Sequence, residues 1–202
     1  MAEYPTGTVT FLFTDVVGSS QRWAEDEQAM SKSLRLHDDV VRETIERNRG
    51  YVFTTAGDAF CAAFDVGTDA SRAAVGIHRS LARADWPGPR LDVRIGLHAG
   101  PAELRAGDYF GPTVNAASRI AAAAHGGQTV MSDAVDAGGA GFTISDLGEH
   151  RLSDLPTAIH LFQLDDGDFP EVQTGEEDEH FVFDEFTVDV PARELRSAGE
   201  LV

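Results

Sequence analysis

Apolar positions in this chain come in two rhythms. Thr8–Asp15 (TVTFLFTD) is a short run of β-branched and aromatic residues, which predicts a strand buried on both faces. After Val16-Val17-Gly18-Ser19-Ser20 the rhythm turns helical. Ser19 or Ser20 is the expected N-cap, and Glu25, Asp26 and Glu27 lie in early turns where the helix dipole favours negative charge. Leu36, Val40, Val41, Thr44 and Ile45 form one stripe, ended by Asn48-Arg49-Gly50. Tyr51–Ala56 and Ala59–Phe64 read as strands joined at Gly57-Asp58 in a tight hairpin. Residues 69–84 are helical, and Trp86-Pro87-Gly88-Pro89 breaks the helix. Leu91–His98 predicts a strand with a short partner at Ala102–Arg105, and residues 107–112 a loop. Thr113–His125 predicts an alanine-rich helix. Thr129–Met131, Phe142–Asp146 and His160–Leu164 are further short strands, and Ser132 is placed to cap a small helix over 133–137.

The order β-α-β-β-α-β-β-α-β-α-β-β with hairpins predicts an α+β domain, a mostly antiparallel sheet with helices packed on it. Hydrophobic residues at 42% and charged residues at 25% exclude a wholly disordered chain. No apolar run approaches a membrane span, and the N-terminus has neither a basic n-region nor an apolar h-region, so a cytoplasmic protein is expected. The lone cysteine, Cys61, lies in an apolar run and reads as core.

Charge changes the picture. Sixteen Lys+Arg stand against 34 Asp+Glu, a formal −18, which argues against non-specific binding to nucleic acid or anionic membrane. Residues 165–202 hold 13 acidic and 2 basic residues, so most of the excess lies there; Lys32 is the only lysine. The expected organisation is a globular domain over 1–164, an acidic linker over 165–180 and a hairpin-like stub over 181–202, with Phe181–Val190 a strand that Glu194–Val202 can pair.

Candidate chemistry gathers at four places. Asp15 ends an apolar strand before a turn into a helix, which suits a carboxylate-held Mg²⁺ beside phosphate-binding backbone amides; terminating the strand is the bland alternative. Asp58 sits in a hairpin turn, where Asp is common anyway, but paired with Asp15 it could hold one or two cations. Asn115 and Arg119, four apart, share a helix face and could position a ribose and stabilise a transferring phosphoryl group, or simply face water. Arg94 is a charge inside a strand pattern, hence on a solvent or ligand face. His98 nearby reads as structural more readily than as a metal ligand.

Four segments, FLFTDVVGSS (11–20), TTAGDAF (54–60), VRIGLHAG (93–100) and GDYFGPTVNAASRI (107–120), resemble in order and spacing the class III adenylyl/guanylyl cyclase catalytic domain, of the kind found in actinobacteria. The resemblance covers about residues 8 to 164 and implies the ferredoxin-like nucleotide cyclase fold. It implies that Asp15 and Asp58, with the Val16 carbonyl, hold two Mg²⁺ or Mn²⁺ ions, and that the backbone of Val17, Gly18 and Ser19 cradles the terminal phosphates. Asn115 would orient the ribose, Arg119 stabilise the transition state, Asp108 select the purine and Arg94 contact phosphate.

Two positions depart from the family pattern. Thr54 stands where adenylyl cyclases carry a purine-reading lysine, and Leu152-Ser153-Asp154-Leu155 stands where a phosphate-binding lysine is expected. The implied activity is cyclisation of ATP, with GTP as a further substrate, at sites shared across a homodimer. The alternative is a weak or inactive cyclase-like module that senses nucleotide or dimerises within a transcriptional regulator. Residues 181–202 resemble the opening strands of a winged-helix domain but lack a recognition helix, so no nucleic-acid binding is expected of this fragment alone.

Overall fold

The computed structural model describes residues 4–138, 141–165 and 167–174, and the backbone of four further strands between 180 and 201. A seven-stranded sheet organises the chain. Its strands are β1 (Thr8–Val16), β2 (Tyr51–Ala56), β3 (Ala59–Phe64), β4 (Val93–Pro101), β7 (Thr129–Ser132), β8 (Ile144–His150) and β9 (Ile159–Leu164), in the order β2-β3-β1-β4-β7-β9-β8. Every pairing is antiparallel except β4 with β7. The α+β fold read from the sequence is the one observed.

Period-two alternation sorts the central strands onto two faces. Leu12 and Val16 of β1, and Val93, Ile95 and Leu97 of β4, enter a core with Met30, Val41 and Ile45 of α2 (Glu27–Arg47) and Ala70, Ala73 and Ile77 of α3 (Gly67–Arg83). Val9 and Phe11 of β1 point the other way, to Tyr109 and Ala117. Tyr109 belongs to the small hairpin β5 (Glu103–Arg105) and β6 (Asp108–Phe110), and Ala117 to α4 (Pro112–Ala123). By the same alternation Asp15 and Arg94 fall on the α4 face. Lys32 is exposed on α2, which packs against the opposite face.

Helix α4 can lie close because small residues meet. A Cβ on Gly96 would stand 2.2 Å from the Ala121 nitrogen, and one on Gly100 would stand 2.9 Å from the Thr113 hydroxyl. Only glycine fits at Gly96 without moving helix backbone.

Several expected details differ. The single helix after β1 is two, α1 (Ser19–Glu25) and α2, because Asp26 adopts an extended backbone and caps α2 by accepting from the Ala29 N–H at 2.9 Å. Neither Ser19 nor Ser20 is the first cap; Gly18 holds that place with φ +70°, where a glycine is favoured. Residues 102–105 do not return along β4. Residues 103–105 pair with 108–110 inside the expected loop, with the turn at Ala106-Gly107. Residues 133–137 make turns and no helix.

The C-terminal strands β10 (His180–Phe183), β11 (Phe186–Asp189), β12 (Glu194–Ser197) and β13 (Glu200–Leu201) pair antiparallel in that order. Phe181–Val190 is therefore two strands of a hairpin rather than one. Of the 181–202 stretch that carries the winged-helix resemblance, residues 184–185, 190–193, 198–199 and 202 lie outside those described. Residues 166 and 175–179 of the expected linker also lie outside them, while Val172 and Gln173 pack on α4 as described below.

Candidate active site

The end of β1 carries Asp15, and the β2–β3 turn carries Asp58. Register brings them together: Phe13 pairs with Cys61, and the Phe60 N–H donates to the Thr14 hydroxyl at 3.0 Å, which pins the start of β3 to the residue before Asp15. Asp58 Oδ2 is buried and has no hydrogen-bond partner. A buried carboxylate oxygen without a donor is costly unless a cation or water meets it. Asp15 is engaged otherwise. Arg94, its cross-strand partner, donates to Asp15 Oδ2 from Nε at 2.8 Å and from Nη2 at 2.6 Å. The third nitrogen, Nη1, donates to the Ala122 carbonyl of α4 at 2.9 Å.

Asn115 and Arg119 share one face of α4, as their spacing predicts. With Ser118, Asp154 and Leu155 they line a cleft of about 300 Å³. Arg119 Nη2 donates to Asp154 Oδ2, and both side chains are substantially exposed. The 152–155 stretch thus presents a carboxylate to this arginine. The aspartate pair and the Asn–Arg pair are not joined by a hydrogen bond within the chain; Arg94 touches both Asp15 and the end of α4.

The remaining sequence candidates are dispersed. Asp108 begins β6, and its Oδ1 accepts from the Tyr109 N–H at 2.8 Å. It stands near Cys61, whose thiol burial, reinforced by the Asp108 charge, pushes up to about 12. Cys61 is a buried free thiol, as expected. Thr54 is exposed on the edge strand β2, opposite Cys61. Val16 is buried. Val17 is exposed and donates its N–H to the Asp92 carbonyl at 2.9 Å, which withdraws that amide from any phosphate cradle; Gly18 and Ser19 follow at the start of α1. His98 is structural: Nδ1 meets the Ser132 hydroxyl at 2.7 Å, and burial lowers its pKa.

The family model of the adenylate and guanylate cyclase catalytic domain matches residues 1–165. The chain belongs to this family. An uncharacterised protein of Mycobacterium tuberculosis is 38% identical over 168 residues, covering 79% of this chain and 56% of that protein, so the chain spans about half the length of that curated relative. An adenylate cyclase of Neurospora crassa is 35% identical over 155 residues, covering 63% of this chain and 7% of the fungal protein. Among solved structures, an adenylate cyclase of Trypanosoma brucei in its monomeric state superposes with a TM-score of 0.80 at 24% identity, covering 87% of this chain and 96% of that one.

The cyclase domain has the donors a hard divalent cation needs. The unpartnered Asp58 oxygen and the Asp15 carboxylate are oxygen ligands of the type Mg²⁺ and Mn²⁺ prefer. Among the described residues no group of three or more His, Cys, Asp or Glu is placed to hold a metal. Two carboxylates fit an ion that also takes backbone and phosphate oxygens. Sequence reasoning missed Asp154 as the partner of Arg119. The two lie 35 residues apart, and nothing local signals the pairing.

Proposed function

We propose that this cyclase domain converts ATP, with GTP as a second substrate, to the 3′,5′-cyclic nucleotide and pyrophosphate. The observation that carries the reading is the buried, unpartnered Asp58 oxygen beside Asp15 at the ends of adjacent strands. Divalent ions bound there would acidify the ribose 3′-hydroxyl and offset triphosphate charge. The 3′-oxygen gives its proton to water and forms a bond to the α-phosphorus as the bond to pyrophosphate breaks, and pyrophosphate leaves with the electron pair.

Asp15 and Asp58, with the Val16 carbonyl, hold the ions; the Gly18 and Ser19 amides face the terminal phosphates. Asn115 fixes the ribose, so the attacking oxygen is held in line. Arg119 supplies a planar, permanently charged donor to the oxygens that gain charge. Asp108 accepts from the purine amino group, and Thr54 reads the same edge more weakly than a lysine would, which relaxes purine choice. Arg94 releases part of its hold on Asp15 to meet phosphate.

Two copies complete each site. In support, Asp15 is paired with Arg94 and Arg119 with Asp154, so the two sets are separately engaged within one chain. Purified protein with Mn²⁺ and ATP or GTP should yield cyclic product. Asp15→Ala and Arg119→Ala proteins, each inactive alone, should regain up to one working site when mixed. No product from either nucleotide would sink the activity, and a mixture that stays dead while wild type is active would sink the shared site.

A further inference from the structure

Residues 167–174 follow the last strand of the main sheet and fold back over the C-terminal end of α4. Val172 is 6% exposed and sits in a small core with Ile120 and Ala123 of α4, with Ala124 that caps it, and with Leu152. The Gln173 N–H donates to the Ala123 carbonyl at 2.9 Å, one of the carbonyls a helix end leaves without an internal partner. His125 fastens the same segment twice. Its Nε2–H donates to the Glu171 carbonyl at 2.9 Å, and its Nδ1 accepts from the Gln173 side-chain amide at 3.0 Å. Gln173 and Thr174 then line a cavity of about 150 Å³ with Arg119 and Ser153.

We propose that Val172 is a positioning residue for Arg119, and that residues 171–174 are a strap whose docking sets where that guanidinium points. The proposal rests on the cyclase reading above for its catalytic consequence. The argument is one of shared packing. Val172 touches the core that contains Ile120, the neighbour of Arg119, and Leu152, two residues before the Asp154 that holds Arg119. Side chains in a small close-packed cluster move together, so a gap or release at Val172 displaces both the helix turn and the loop. Val172 is the single apolar residue between Pro170 and the acidic run that follows, so it is the strap's one anchor of this kind. The chain continues from the strap towards the strands of 180–201, so the strap joins that segment to the helix bearing Arg119.

The test uses the full 202-residue chain with Val172→Ala and His125→Ala variants, read by amide hydrogen exchange and by kinetics. Both variants should speed exchange in the last turn of α4 about tenfold or more, while amides of β1 and β4 keep their wild-type protection. For cyclic product, kcat should fall about tenfold with KM within about twofold, because Arg119 acts on charge that develops in the transition state. His125→Gln, which can keep a donor to the Glu171 carbonyl, should recover most of the loss. Exchange that rises only within 167–174, or an unchanged kcat once the strap is released, would overturn the proposal. If Val172→Ala also loses protection in β1 and β4, it has unfolded, and His125→Ala decides. If wild type makes no cyclic product, the cyclase reading fails, and the α4 exchange alone keeps or removes the strap.

Discussion

Arg94 and Asp15 stand opposite one another on β4 and β1, and two guanidinium nitrogens converge on one carboxylate oxygen, Asp15 Oδ2. The arrangement fixes the orientation of the carboxylate and competes with any cation for it. The third nitrogen is bound to the Ala122 carbonyl, so the same arginine ties the strand end to α4. Removing it has a definite sign. Arg94→Ala should bind Mn²⁺ about two- to fivefold more tightly in the absence of nucleotide, the range expected for losing a partly buried ion-pair competitor. Electron paramagnetic resonance titration reads this directly, and unchanged or weaker binding would show that Asp15 is not a ligand of the ion.

Asp154 competes for Arg119 in the same way. The pair is exposed, so it is worth about 0.2–1 kcal/mol. Asp154→Asn should raise kcat/KM about two- to fivefold at low salt, with the gain shrinking as ionic strength rises and screens the pair. A fall in kcat/KM would mean that the carboxylate supports the site rather than occupying its arginine.

Gly96 should be intolerant of any side chain. A methyl group there would lie 2.2 Å from the Ala121 nitrogen and 2.5 Å from its Cα, contacts that only a backbone shift relieves. Gly96→Ala should cost about 3 kcal/mol and lower Tm by about 6–12 °C. A melt within about 2 °C of wild type would show that α4 gives way easily.

Stability should fall in mild acid through His78. Its Nε2 meets the Thr129 hydroxyl at 3.0 Å, and burial lowers its pKa from 6.5 to about 4, against smaller opposing effects from a main-chain contact at Gln128 and the charges of Asp165 and Asp92. Between those two values the unfolded chain binds the proton and the folded chain does not. The contribution is therefore complete above about pH 6.5 and is lost as pH falls towards 4, up to about 3 kcal/mol. Burial lowers His98 in the same direction. Urea midpoints measured from pH 7 to 4.5 should drop, and His78→Gln should flatten the slope; a variant with the wild-type slope would assign the acid sensitivity elsewhere.

What the sequence made legible was whatever local pattern determines. The β2–β3 hairpin has the expected bounds because two apolar runs flank Gly57-Asp58, and Asn115 and Arg119 share a face because four residues make about one helical turn. The break between α1 and α2 was hidden because Asp26 reads equally well as an early-helix acid and as a cap. The partner of residues 103–105 is not legible locally, because a short strand beside Gly-Pro can fold back or turn onward, and only the Ala106-Gly107 turn decides. The Arg94–Asp15 and Arg119–Asp154 pairs depend on register and on a loop 35 residues away, which no local window contains. Arg94 did betray itself as a charge in a strand pattern, though not whose charge it would meet.

The placement of Lys32 has a practical consequence. It is the only lysine, it is exposed on α2, and α2 covers the side of the sheet away from α4. Apart from the N-terminal amine, amine-reactive coupling therefore has one target. A dye or surface tether attached there leaves the α4 side facing outward, so the proposed dimerisation and nucleotide binding can be tested on an oriented layer without engineering a new attachment point.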